Sequence, residues 1–75
     1  MKGDKFSLMV FTRGGHKVIM RNLDLPTVEG FDRFMEADDR PIHDIETKDS
    51  FGKEKVVTVY RPSVAFYEIQ KEVSQ

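Results

Sequence analysis

The side chains best equipped for chemistry cluster just past the middle of the chain. Asp38, Asp39, His43 and Asp44 bring three carboxylates and an imidazole close together, enough in principle to hold a divalent cation or to pass a proton. Their spacing straddles Pro41 and matches no ligand pattern, and acids between the end of one element and the start of the next are ordinarily solvated, so no metal is expected. His16 falls at the tip of a hairpin beside Arg13, where an imidazole reads as an exposed turn residue. Ser50 and Ser63 have no neighbouring base to activate them, and the absence of cysteine removes thiol nucleophiles and thiolate metal sites. Gly14-Gly15 is too short for a phosphate-binding loop, and no helix follows it. The expectation is a protein that is not an enzyme and carries no cofactor.

Binding chemistry is better represented. Phe6, Phe11, Arg13, Lys17, Arg21 and Lys55 interleave aromatic and basic side chains on strands, the composition of a sheet that stacks bases and holds phosphates, with Arg13, Lys17, Arg21 and Lys55 as the phosphate contacts. Against this, the basic, glycine-spaced aromatic run of ribonucleoprotein-type sheets is missing and the isoelectric point is near 6.1. Charge is segregated along the chain. Residues 24–49 carry nine acids against Arg33, Arg40 and Lys48, a balance of -6, and the remainder balances to +5. Glu29, Asp32, Glu36, Asp38 and Asp39 could therefore present carboxylates to the basic groove of a DNA-handling enzyme and inhibit it.

The elements that position these groups follow from periodicity and punctuation. Phe6 to Thr12 and Lys17 to Leu23 read as a hairpin, with Gly14-Gly15 between Arg13 and His16 as a two-residue loop. That loop sets a register with Phe11 opposite Val18 and Met9 opposite Met20 on one face. The other face then carries Val10 opposite Ile19, Leu8 opposite Arg21 and Phe6 opposite Leu23. A helix is expected from about Val28 to Ala37, N-capped by Thr27, with Val28, Phe31, Phe34 and Met35 on one stripe and Pro41 closing it off. Ile42 to Lys48 reads as a ragged strand and Lys55 to Tyr60 as a central one, joined by a loop in which Gly52 takes positive φ. Pro62 interrupts the ladder before Ala65 to Glu72. The fold class is α+β, a small antiparallel sheet with one helix on one face, in the order ββαβββ, or ββαββ with a bent last strand.

A chain of 75 residues makes one domain spanning 1–75, small enough to bury only about 60% of its unfolded surface, and such domains often gain by oligomerising. The longest apolar run, Leu8 to Phe11, falls far short of the roughly 20 residues that cross a bilayer, and with no cysteine the default is the cytoplasm. A hairpin apolar on both faces needs two covers, and one short helix supplies one. The larger set, Phe6, Leu8, Val10 and Ile19, is assigned to the helix. Met9, Phe11, Val18 and Met20 are left as the interface, with methionine suited to an adaptable contact. The reading is an accessory or regulatory domain that acts by protein contact, as a homodimer, with nucleic-acid binding and inhibition of a DNA-handling enzyme as alternatives.

Overall fold

In the computed structural model, residues 3–37 and 39–72 are described. The elements run β1 (Phe6–Thr12), β2 (Lys17–Leu23), α1 (Leu25–Glu36), β3 (Ile42–Lys48), β4 (Glu54–Tyr60), a single 3-10 turn (Arg61–Ser63) and β5 (Val64–Lys71). This is the α+β order ββαβββ. The strands are divided between two antiparallel sheets, β2-β1-β5 and β3-β4. The turn at Pro62 makes the division, because proline cannot donate to a ladder and the chain leaves β4 there to pair with β1.

The β1–β2 register differs from expectation by one residue, and the loop explains it. Thr12 N–H donates to the His16 carbonyl at 2.9 Å and Gly15 N–H to the Thr12 carbonyl at 3.1 Å, which closes a three-residue loop of Arg13, Gly14 and Gly15. Gly15 sits at φ +88°, the left-handed position that such loops require and that glycine fills without strain. The pairs are therefore Leu8 with Met20, Met9 with Ile19, Val10 with Val18 and Phe11 with Lys17. A slip of one residue turns every β2 side chain to the opposite face.

The slip is undone before the strand ends. Phe6 faces Leu23, so Arg21 and Asn22 together oppose Ser7 in a β-bulge, with Asn22 at φ 61°. Asparagine tolerates this left-handed conformation better than most side chains. Glu72 braces the bulge: its Oε2 accepts from the Asn22 N–H and from Ser7 Oγ, each at 2.8 Å. Those bonds, with Arg21 and Lys5 nearby, hold the Glu72 carboxyl below its usual value.

Helix α1 starts three residues earlier than Val28, and the cap is Asp24 rather than Thr27. Asp24 Oδ1 accepts from Thr27 N–H at 3.1 Å and from Thr27 Oγ1 at 2.5 Å, so Leu25 and Pro26 lie in the first turn, where proline costs no hydrogen bond. Val28, Phe31 and Phe34 are buried. The helix packs on both β1 and β3, and the core unites Leu8, Val10, Met20 and Leu23 with Ile45, Val59 and Val64 around that stripe. Within β3–β4, His43, Ile45, Thr47, Val57 and Val59 face inward, and Ile42, Glu46, Val56, Thr58 and Tyr60 are exposed. β4, expected as a central strand, is thus half of a two-stranded ribbon with an open face. Its hairpin is held by Asp49 Oδ1, which accepts from Phe51 and Lys53 N–H at 2.8 and 3.0 Å, and Gly52 supplies φ +81°.

The register makes opposite statements about neighbouring residues. Met20 is 1% exposed and Ile19 38%. Met20→Ala should cost roughly 2–5 kcal/mol and Ile19→Ala less than about 1 kcal/mol, read from urea unfolding midpoints at constant m.

Candidate functional site

The face of β2-β1-β5 turned away from the helix is built by strict alternation. Its rows, from β2 through β1 to β5, are Lys17, Phe11 and Phe66, then Ile19, Met9 and Glu68, with Ser7 and Gln70 beyond. Phe11 and Phe66 stack with ring centroids 4.3 Å apart and planes inclined by 14°. A cross-strand aromatic pair of this kind adds roughly 0.5–1.5 kcal/mol beyond its burial. Phe66 nevertheless remains 54% exposed and Ile19 38%. Met9, Phe11, Ile19 and Phe66 occupy neighbouring positions and form an open apolar patch.

The four residues expected at the interface do not share a face. Met9 and Phe11 lie on the outer one, half-buried, whereas Val18 and Met20 are turned inward by the three-residue loop, Met20 into the core and Val18 against it. The set expected beneath the helix is corrected in the same way: Leu8 and Val10 are buried, and Ile19 is on the opposite side. Ile19 and Phe66 are the members that sequence reasoning missed at this patch. A three-residue loop would have revealed Ile19, and pairing of β5 to β1 would have revealed Phe66.

The basic residues are dispersed. Arg13 is at the hairpin tip, where its Nε donates to the Pro62 carbonyl at 3.0 Å and its N–H to the Ser63 carbonyl at 2.9 Å. Lys17 is on the outer rim of β2. Arg21 and Lys55 line a groove of about 560 Å³ between the end of β2 and the β3–β4 hairpin, with Lys5 and Lys48 but also with Asp24, Glu46 and Glu54. Phe6 is half-buried against the core.

The acidic and histidine candidates are also separated. His43 points inward and stacks on Phe34 at 4.9 Å, while Asp44 points outward and accepts from Thr58 Oγ1 at 2.8 Å. Asp38 lies outside the described residues, and among the described residues no three metal-ligating side chains converge. Ser63 Oγ donates to the Tyr60 carbonyl at 2.8 Å. On α1, Asp32 accepts from the Tyr67 hydroxyl at 2.5 Å. Partial burial, then the Asp32 hydrogen bond and charge, push the Tyr67 phenol up to about 12. Glu36 is also raised, by its hydrogen bond to Asp32 and by repulsion from it. Two of the acids expected to present an open carboxylate face are thus tied to β5 or to each other.

No helix among the described residues is long and apolar enough to cross a membrane. Comparisons with protein-family models, curated proteins and solved structures found no match for this chain.

The partial burial of Tyr67, with its bond to Asp32, carries a pH signature. A phenol raised in the folded state stabilises below its unfolded value of 10.0, and that contribution is lost as pH climbs towards about 12. Urea midpoints should therefore fall across this window in the wild type, and Tyr67→Phe should remove that part of the decline. Parallel curves for the two proteins would contradict it.

Proposed function

We propose that this protein is a small non-enzymatic accessory or regulatory domain that works by protein–protein contact and that it forms a homodimer through the outer face of β2-β1-β5. The observation that carries this reading is the open patch of Met9, Phe11, Ile19 and Phe66, contiguous across three strands and apolar where a solvated sheet face alternates to polar. A second copy presents the same patch, and an isologous contact covers both at once. Four such side chains bury on the order of a few hundred Å² per partner, below the roughly 800 Å² of a standard interface, so the dimer is weak. The reading places it in the cytoplasm, in keeping with a chain that has no cysteine.

Nucleic-acid binding has one observation in its favour, the convergence of Lys5, Arg21, Lys48 and Lys55 on one groove. Two observations favour the protein contact instead. Acids interleave with those bases, and the Phe11 and Phe66 rings turn their faces to one another rather than outward to a base.

Sedimentation velocity decides the matter. At high micromolar protein the mass should approach twice 8.7 kDa, and Phe66→Asp should return it to the monomer with the fold intact by circular dichroism. A wild type that stays monomeric rules out the homodimer. Titration with single-stranded oligonucleotides should show no saturable, salt-dependent binding at low salt, and such binding would favour the second reading.

A further inference from the structure

The outer face is not only apolar but polarised across its width, and the polarity specifies how a second copy sits on it. The exposed cation Lys17 is on β2, one edge of the sheet, with Arg21 farther along that edge, where it also lines the groove beside the β3–β4 hairpin and neighbours Glu72; the exposed anion Glu68 is on β5, the other edge, with β1 between them. Lys17 shares a row with Phe11 and Phe66, Glu68 shares the next with Met9 and Ile19, and Arg21 belongs to the bulge opposite Ser7.

Two sheets that meet face to face in a closed dimer are related by a two-fold axis lying between them, and with aligned strands this axis runs either along the strands or across them. An axis across the strands lays β2 on the partner's β2. Centred on Met9, it sets Lys17 over the partner's Arg21 and Glu68 over the partner's Glu68, like charge on like. An axis along the strands exchanges the edges and keeps the rows. The partner's Lys17 then lies over the Phe66 ring, and Glu68 falls between the partner's Lys17 and the partner's Arg21.

Resting on the homodimer reading above, we infer that the partner is a second copy of this chain docked with its two-fold axis along β1, so that the basic β2 edge of each copy covers the acidic β5 edge of the other. The apolar rows stack centrally in this arrangement, and opposite charges close both rims. Like charges across a contact are strongly disfavoured, so the rims select between the two orientations even though exposed pairs add little affinity.

The test is a set of dimer dissociation constants from sedimentation, in about 50 mM salt so that the rims are weakly screened. The proteins are wild type, Lys17→Glu, Glu68→Lys and the double variant, and thermal unfolding of each confirms that these exposed substitutions leave the fold intact. Each single reversal should weaken the dimer about tenfold, since every rim contact occurs twice, and the double variant should recover part of that loss, Arg21 remaining cationic. Two results would overturn the orientation while the homodimer stands: single reversals that leave the affinity unchanged, as pairing through a strand edge would give, or a Lys17→Glu dimer tighter than wild type, as an axis across the strands would give by removing the Lys17–Arg21 opposition. A wild type that is monomeric at high micromolar concentration would overturn the homodimer reading itself.

Discussion

The register of the β1–β2 hairpin is the constraint on which the rest of the structure depends, and two left-handed residues set it. Gly15 closes a three-residue loop and turns Val18 and Met20 inward. Asn22 then opens a bulge that brings Leu23 back to the same side. The bulge is required by the spacing of the apolar side chains. Met20 and Leu23 are three residues apart, an odd interval that a regular strand sends to opposite faces, and both are buried at 1% and 4% exposure. An unbroken ladder would leave one of them in water. Glu72, the residue after β5, accepts from Asn22 N–H and Ser7 Oγ, so the end of the last strand helps to stabilise the irregularity that the first hairpin needs.

The helix depends on that inward face as much as the face depends on it. Gly30 within the helix lowers its intrinsic propensity by about 1 kcal/mol relative to alanine, so burial of Phe31 and Phe34 has to hold it in place. Those rings connect elements that share no ladder. Phe31 meets Tyr67 of β5 edge-on at 5.1 Å, and Phe34 stacks on His43 of β3, with the Arg61 guanidinium 4.8 Å from the Phe34 ring. Aromatic contacts from one helix face therefore join two sheets whose strands do not pair with each other.

The parts of this fold that were legible in the sequence are those written in local chemistry. Strand limits at Phe6, Thr12, Lys17 and Leu23, the helix stripe, the Gly52 turn and the break at Pro62 all rest on side chains acting within a few residues of themselves. The helix start was displaced because two good caps, Asp24 and Thr27, stand three apart, and the structure satisfies both in one bond set headed by Asp24. Division into two sheets was not legible, since nothing local states that β5 returns to β1. The patch was half legible: Met9 and Phe11 follow from β1 alone, whereas Ile19 needs the loop length and Phe66 needs the long-range pairing. Gly14-Gly15 fits a two-residue and a three-residue loop equally well on composition. Only the second puts both Met20 and, through the bulge, Leu23 inside.

The loop length also decides what the surface presents. Had the two-residue loop formed, Met9, Phe11, Val18 and Met20 would have made the outer face apolar on both hairpin strands, a long greasy ribbon prone to unselective association. The three-residue loop instead moves Val18 and Met20 inward and places Lys17 and Ile19 outside. The outer face becomes narrower, with an apolar centre on β1 and its nearest neighbours and with charge at both margins. Among the described residues, no further element lies over that centre. The charged margins restrict how it can be covered, because a partner must satisfy a cationic edge and an anionic edge at a fixed separation while it buries the rings between them.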